Sequence, residues 1–253
     1  MTEEPYRWLE AITNRREYIE DQIAPGLPAV ALSADPGVLL LAIKTPTPKL
    51  FEIYDHLALA SVGHPADIEK VRQAAIDAAH LDGFARSPSD VTARRLVSYN
   101  LAPALKAAFE QIFSAPLLFR GILAEVGAAP ADDFIWRVDY DGSFTAQSGA
   151  ELAHGTVITG PRQVTKDWAA QNPKPVLERN TLKAAALSAL RLLVWAKLRG
   201  TKDQGVDFSA VPGDVAKLKE MLNADGLEVA FLDRSLLGQP IAYRVPSADE
   251  TGI

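Results

Sequence analysis

Residues 26–70 read GLPAVALSADPGVLLLAIKTPTPKLFEIYDHLALASVGHPADIEK, and they limit the fold more than any other part of the chain. Short apolar, partly β-branched runs alternate with turn sequences such as Ala-Asp-Pro at 34–36 and Asp-His at 55–56. Such a series predicts four consecutive short strands with mostly antiparallel pairing. The series ends at Gly-His-Pro, 63–65, and because proline suits the first helical position we expect a helix to start there.

A helix is also predicted ahead of these strands, over residues 3–24. Leu9, Ile12, Ile19 and Ile23 recur at helical spacing, with Arg16 on the same line, and most of the other positions are charged or polar. A helix with so narrow an apolar stripe is expected to lie on another layer of the protein, not inside it.

Helices and strands come in blocks along the remainder of the chain. A Ser-Pro-Ser-Asp signal at 87–90 predicts the start of a second helix, which runs to about Phe113 and is kinked at Pro103. Leu152–Thr159 is a further strand candidate, and residues 247–253 form a polar tail that we expect to be frayed. Blocks of strands and helices indicate an α+β domain, with two packed antiparallel sheets between two helical layers.

Composition excludes several classes of protein. The chain has 253 residues, of which 48% are hydrophobic and 23% charged, so it can form one large domain over 1–253 with a substantial core. It has no cysteine, which excludes disulfides and thiolate chemistry and fits a cytoplasmic protein. Its acidic N-terminus and short apolar runs predict no signal peptide and no membrane span. A net charge of −6 disfavours nucleic acid as a partner.

The chain lacks the common motifs of catalytic and cofactor sites. Neither GxGxxG, GxxxxGK[ST], GxSxG nor HExxH occurs, so we expect no cofactor, no metal and no catalytic residues of these kinds. The histidines are scattered, at positions 56, 64, 80 and 154. Asp-Tyr-Asp-Gly at 139–142 has the wrong spacing for a calcium loop and is better interpreted as a hairpin turn.

Several of these segments resemble the proteasome family, and its α-type subunits most closely. KLFEIYD at 49–55, followed by 57–63 and 65–68, is similar to the family's third strand, fourth strand and first large helix. RSPSDVTARRL at 86–96 and LEVAFLDR at 227–234 resemble segments of actinobacterial α subunits. The resemblance implies a four-layer αββα sandwich, the fold of the N-terminal-nucleophile hydrolases.

The same resemblance implies which positions would be catalytic in a β-type subunit. Leu27, or Pro28 if the register slips by one, stands where the family has its nucleophilic threonine, and Ile43 stands at the acidic position. Lys49 matches the family's lysine. Neither leucine nor isoleucine can take part in proton transfer, so the resemblance implies a subunit without catalytic residues.

For an α-type subunit, the resemblance implies contacts in place of catalysis. The corresponding lysine and glycine border a pocket that binds the C-terminal carboxylate of an activator's tail, which assigns Lys49 and Gly63 to an activator-docking pocket. An ordinary solvated or salt-bridged lysine is the other interpretation of Lys49. The N-terminal helix is implied to contact neighbouring subunits or form the gate through Tyr6, Leu9, Ile12, Arg16 and Ile19. Only Met1–Glu4 precede that helix, so a tail that gates the pore is expected to be short or absent.

The function implied is that of a non-catalytic subunit in a proteasome-like complex. It would form a homo-oligomeric, heptameric outer ring that stacks on a catalytic β-type subunit, docks an ATPase or other activator, and admits unfolded protein substrates. Two alternatives stay open. One is a divergent, self-assembling hydrolase of this fold that uses an unrecognised nucleophile such as Ser33 or Thr45, and the other is a binding or scaffold protein that lost its β partner.

Overall fold

The computed structural model describes residues 5–201, 205–223 and 226–253. Its α-helices are α1 (Pro5–Ile23), α2 (Pro65–Ala85), α3 (Ala93–Arg95), α4 (Ala102–Glu110), α5 (Arg162–Ala170), α6 (Leu182–Gly200), α7 (Val215–Leu222) and α8 (Ala248–Thr251). Its strands are β1 (Ala29–Ala34), β2 (Gly37–Ile43), β3 (Leu50–Tyr54), β4 (Leu57–Gly63), β5 (Phe119–Glu125), β6 (Phe134–Asp139), β7 (Phe144–Ser148), β8 (Thr156–Ile158), β9 (Leu227–Asp233) and β10 (Tyr243–Arg244). Within the described ranges, no helix combines the length and apolar character needed to cross a membrane.

The strands form two five-stranded sheets in which every pairing is antiparallel. The first sheet has the order β10-β9-β2-β1-β8 and the second the order β3-β4-β5-β6-β7. The four strands predicted from residues 26–70 are all present, as two hairpins that belong to different sheets. The proline-containing loop between β2 and β3 therefore passes from one sheet to the other.

Three apolar clusters separate the structure into layers. The outer face of the first sheet is covered by helices α5, α6 and α7. The outer face of the second sheet is covered by α2 and by the helical stretch that contains α3 and α4. The third cluster lies between the two inner faces and also takes in the end of α1. The predicted αββα sandwich, with two antiparallel sheets between helical layers, is confirmed.

Strand β1 shows how alternating side chains build these layers. Val30 and Leu32 pack in the helix-facing cluster, whereas Ala29 and Ala31 lie in the cluster between the sheets. Successive side chains of a strand point to opposite faces, so a strand covered on both sides is apolar throughout. Alanine on the inner face leaves room for the second sheet to pack closely against the first.

The prediction for the second helix is wrong at its start. The Ser87 side chain makes no capping hydrogen bond, and 88–90 form only a 3₁₀ turn. The helix begins at α3, where the Thr92 hydroxyl accepts a hydrogen bond from the Arg95 amide at 3.3 Å. A π-helical segment, Leu96–Leu101, then precedes Pro103. Because proline has no amide hydrogen, a regular helical bond at that position could not form, and the irregular turn lies directly before it.

Two other predicted segments also differ from the structure. Most of the predicted strand Leu152–Thr159 is a 3₁₀ turn or loop, and only Thr156–Ile158 is a strand. The tail at 247–253 is not frayed, because Ser247 and Glu250 form a reciprocal capping box at the start of α8. Thr251 of this turn is buried.

One buried arginine joins α1 to both sheets. Arg120, at the start of β5, donates from Nε to Asp139 Oδ1 at 3.1 Å and from Nη1 to the carbonyls of Thr159 at 2.9 Å and Gly160 at 2.7 Å. Its Nη2 donates to both carboxylate oxygens of Glu20, on α1, at 3.0 and 3.2 Å. Every nitrogen of the guanidinium therefore has a partner, as a buried charge requires.

Replacing this arginine by a flexible apolar side chain should destabilise the protein strongly. Arg120→Met leaves two carboxylates and two carbonyls without their donor, so we expect a loss of about 3–5 kcal/mol in the free energy of unfolding, measured by urea denaturation. Arg94→Met removes an exposed arginine on α3 and should change it by less than about 0.5 kcal/mol. Equal effects of the two substitutions would contradict this account of Arg120.

Candidate functional site

The candidate site lies where the start of β3 meets the approach to β1. Lys49 directly precedes β3, and its side chain is only 8% exposed. Its Nζ donates a hydrogen bond to the carbonyl oxygen of Leu27 at 3.3 Å. The structure therefore brings Lys49 together with Leu27, the residue that the resemblance assigns to the threonine position, although the two are 22 residues apart in the chain.

The backbone around Lys49 is held by a carboxylate from the other sheet. The amide of Lys49 donates to both oxygens of Glu228, on β9, at 3.1 and 3.0 Å, and the amide of Leu50 donates to the same carboxylate at 2.8 Å. On the other side, the amide and hydroxyl of Ser61 donate to the Lys49 carbonyl at 2.9 and 3.2 Å. These contacts fix the backbone position from which the Lys49 side chain extends.

Gly63 borders this region at the end of β4. The pairing of Leu50 with Ala60 places Lys49 beside Ser61, two residues before Gly63 on the neighbouring strand. Gly63 has a φ of +149°, and a Cβ added to it would lie 1.9 Å from the Leu118 carbonyl oxygen. Only glycine fits this backbone, because a side chain would collide with the segment that leads into β5.

The local environment makes Lys49 easier to deprotonate. Burial lowers its pKa from 10.5 to about 8, and the Glu228 carboxylate offsets part of that shift. At pH 7 the ammonium is still the dominant form. Lys49 is thus a mostly buried cation that makes one long hydrogen bond to a carbonyl, and an anionic group is the partner it would pair with most strongly.

The other positions of the catalytic pattern are chemically inert here. Leu27 is half-buried, and Ile43 is 1% exposed and packs in the helix-facing cluster of the first sheet. No acidic side chain replaces Ile43 at its own position, and Glu228 is engaged by two backbone amides. Within the described part of the chain, no group of three or more His, Cys, Asp or Glu side chains could hold a metal ion.

The two alternative nucleophiles are in unsuitable surroundings. Ser33 is completely buried, and its hydroxyl donates to Asp133 at 2.6 Å. Asp133 is itself bound by both Nη atoms of Arg234 at 2.8 and 2.9 Å, so this serine belongs to a closed structural network. Thr45 donates its hydroxyl hydrogen to the Thr47 carbonyl at 2.7 Å, with no histidine or lysine partner among the described residues. A nucleophilic hydroxyl needs both access and a base, and neither residue has both.

The predicted contact residues of α1 divide into two groups. Leu9 is 63% exposed, Ile12 is half-buried, and Arg16 is exposed with an ion pair to the β6–β7 turn at 3.8 Å. Ile19 is buried and packs in the inter-sheet cluster. The side chain of Tyr6 and the segment Met1–Glu4 lie outside the described residues.

Two exposed aromatic side chains of α1 were missed by the sequence reasoning. Trp8 and Tyr18 are each about half exposed. Tyr18 lies off the apolar stripe that was traced through Leu9 and Ile12, whereas Trp8, four residues before Ile12, lies on the same side of the helix and could have been found from its spacing. Trp8, Leu9 and Tyr18 are thus large apolar side chains of α1 that the described part of the chain leaves exposed.

Comparison of the sequence with known proteins identifies the family of this chain. No protein-family model matches the chain. The chain is 32% identical to the proteasome subunit alpha of Salinispora arenicola over 91% of its own length and 76% of that protein. It is 33% identical to the proteasome subunit alpha of Actinosynnema mirum, over 89% and 77%, and 36% identical to that of Arthrobacter sp., over 95% and 92%. The chain belongs to the proteasome α-subunit family.

Family membership confirms the resemblance that the motifs indicated. The similarity to the actinobacterial α subunits named above extends over 89–95% of the chain, so it is not restricted to residues 49–68. The assignment of Lys49 and Gly63 to one docking pocket stays a prediction, and sequence reasoning missed Glu228. That glutamate was visible only as a polar residue of a predicted late strand, and nothing in the local sequence shows that it binds the start of β3.

The burial of Lys49 predicts a stability effect that depends on pH. Because its folded-state pKa is lowered to about 8, the unfolded chain binds its proton more tightly, and the lysine costs stability below pH 8. Lys49→Met should therefore raise the free energy of unfolding at pH 7 by up to about 3 kcal/mol. The extra stability of Lys49→Met over wild type should shrink between pH 8 and pH 10.5. In this range the buried lysine of the wild type is mostly neutral, and its destabilising effect disappears as the unfolded chain also loses the proton.

Urea denaturation of the chain across this pH range provides the measurement. Lys44→Met, at an exposed lysine on the same loop, is the matched control and should show no comparable gain at pH 7. A difference between Lys49→Met and wild type that stays constant from pH 7 to pH 10.5 would show that Lys49 is not desolvated in the folded protein.

Proposed function

We propose that this chain is a non-catalytic α-type subunit that forms the outer ring of a proteasome-like protein-degradation complex. The observation that carries the proposal is the geometry at Lys49. The side chains of Leu27 and Ile43 are apolar where a β-type subunit has reactive groups, and Lys49 faces a backbone carbonyl instead of a nucleophile. Proton transfer needs titratable groups at these positions, so the fold is used for assembly and docking.

The exposed part of α1 supports a role in ring formation. Leu9, Trp8 and Tyr18 are large apolar side chains that remain in solvent on a single chain. Such residues often mark a protein–protein contact. We assign the contacts between copies in a homo-oligomeric, seven-membered ring, or with the gate, to five residues of α1: Tyr6, Leu9, Ile12, Arg16 and Ile19. Of these, the buried Ile19 fixes the position of the helix.

The surroundings of Lys49 support its assignment to an activator-docking pocket with Gly63. A free C-terminal carboxylate is an anion that can pair with an ammonium group. Among the described residues, the Lys49 ammonium makes one hydrogen bond, 3.3 Å long, and its flexible stem allows it to turn towards a partner.

The other parts of the proposal follow from this role. The whole chain, 1–253, acts as one α-type domain. Its partners are further copies of itself, a catalytic β-type subunit, an ATPase or other activator that inserts its C-terminal tail, and unfolded protein substrates. The complex works in the cytoplasm.

Assembly with a catalytic subunit tests the function directly. The chain should be purified alone and together with the β-type subunit of the same genome, and both samples analysed by native mass spectrometry and electron microscopy. We expect rings or their precursors from the chain alone, and stacked barrels with peptidase activity only in the mixture. A chain that stays monomeric beside the β-type subunit, or that hydrolyses peptides alone, would overturn the proposal.

Docking through Lys49 should depend on both charge and pH. The probe is a peptide with the C-terminal sequence of the cognate ATPase and a free carboxylate, and its affinity for the assembled ring is measured by fluorescence anisotropy. Since burial lowers the pKa of Lys49 to about 8 in the protein without the peptide, the fraction of Lys49 that is protonated falls as the pH rises. Raising the pH from 7 to 9 should weaken binding by about tenfold.

Three controls separate this effect from general changes in the protein. Lys49→Ala should leave assembly intact and weaken docking at pH 7, whereas Lys49→Arg stays charged and should remove the pH dependence. An amidated peptide should bind weakly to every variant. If Lys49→Ala docks the free-carboxylate peptide as well as wild type does, the pocket assignment fails, although the ring function could still be correct.

A further inference from the structure

A second polar site lies between the start of α5 and the β6–β7 hairpin. Here a cavity of about 230 Å³ is lined by both elements. For comparison, one water takes up ~30 Å³ in the liquid. The side chains that matter are Arg137 and Thr145 from the hairpin and Arg162, Thr165 and Lys166 from α5. The space is therefore large enough for a small ion together with some of its waters.

The local geometry explains why these side chains meet. Arg137 pairs directly with Thr145 in the β6–β7 ladder, so both lie on the same face of the second sheet. That face is the inner one, because the neighbouring residue Ile135, two positions earlier, packs in the inter-sheet cluster. On α5, Arg162, Thr165 and Lys166 follow the spacing that places side chains on one face of a helix.

Arg137 carries a charge that the described part of the chain does not neutralise. It makes no hydrogen bond or ion pair within residues 5–201, 205–223 and 226–253, although it is only partly exposed. Burial lowers its pKa; Asp139 opposes that effect, while Arg120 and Arg162 add to it. An arginine remains charged in a protein, so this cost persists unless an anion enters the cavity.

The single carboxylate of the lining is already engaged by other groups. Asp139 accepts from Arg120 at 3.1 Å and pairs with Arg162 at 3.5 Å. Arg162 also pairs with Glu20 at 3.7 Å. Lys166, at the edge of the cavity, is exposed. The lining therefore has an excess of positive charge.

Thr165 provides an independent indication of a ligand. Its side chain is only 5% exposed, and its Oγ1 has no hydrogen-bond partner among the described residues. A buried hydroxyl without a partner costs free energy, and a threonine in a helix usually bonds to a carbonyl of the preceding turn. Thr165 is also one of the residues that line the cationic cavity.

We infer that this cavity binds a small free oxyanion, of the phosphate or carboxylate class. The Arg137 guanidinium supplies N–H groups in a planar arrangement that fits two oxygens, and the Thr165 hydroxyl supplies a further donor. Lys166 adds positive charge at the entrance. The bound ion would join α5 to the β6–β7 hairpin. This inference is independent of the function proposed for the Lys49 site.

Isothermal titration calorimetry with inorganic phosphate at constant ionic strength tests the site. Wild type should bind phosphate saturably. Arg137→Gln should weaken binding by about tenfold or more, and Thr165→Val, which keeps the side-chain shape, by about fivefold. Arg94→Gln is the matched control, because Arg94 is exposed on α3, which packs against the opposite face of the same sheet, and should bind as wild type does.

Each other outcome overturns the inference. Absence of saturable binding in wild type excludes a free-phosphate site, and equal affinities in all four proteins place the ion elsewhere. If phosphate has no effect and Arg137→Gln alone changes the oligomeric state, the cavity accepts a carboxylate of a neighbouring copy and not a free ion. Thr165→Val keeps the test valid should Arg137→Gln fail to fold, since a purely structural threonine would not alter phosphate affinity.

Discussion

The buried guanidinium of Arg120 is the contact on which the arrangement of α1 and the two sheets depends. It lies at the start of β5 in the second sheet, and its partners are Glu20 on α1, Asp139 on β6 and the backbone at 159–160, just after β8 of the first sheet. Arg120 and Glu20 are 100 residues apart. A charge buried this deeply is tolerated only with all of its donors paired, so the network also restricts how α1 can lie. Nearer the start of α1, Trp8 and Leu9 remain exposed, whereas Ile12 is half-buried.

In the proposed function, the Lys49 region presents a docking group on a scaffold associated with catalysis. Two backbone amides bind Glu228 across the sheets, and this contact defines the start of β3. The lysine side chain then extends towards Leu27, in surroundings that lower its pKa. A buried ammonium with a single weak acceptor costs stability and favours an incoming anion. The same amino group in a β-type subunit would be useful only beside a nucleophile, which Leu27 cannot provide.

Much of the fold was predictable because its signals are local. The strands within 26–70 follow from apolar runs and turn residues, and the layer order follows from blocks of strands and helices. The errors also have local causes. The Ser87 signal predicted a helix start, but Thr92 makes the cap, since a Ser-Pro pair suits a 3₁₀ turn equally well. The tail at 247–253 looked merely polar, yet Ser247 and Glu250 form a capping box that is recognisable only when their spacing is considered.

The αββα layering and the family could be read from the sequence, as could the apolar side chains of Leu27 and Ile43, because residue type and short-range spacing carry that information. The three-dimensional structure was needed to show that Glu228 binds the start of β3, 179 residues away, and that Arg137 and Thr165 line one cavity. Contacts between distant segments depend on how the sheets and helices pack, and no periodicity or motif encodes them. The charge environment of Lys49 is of this kind, since its burial arises from elements at both ends of the chain.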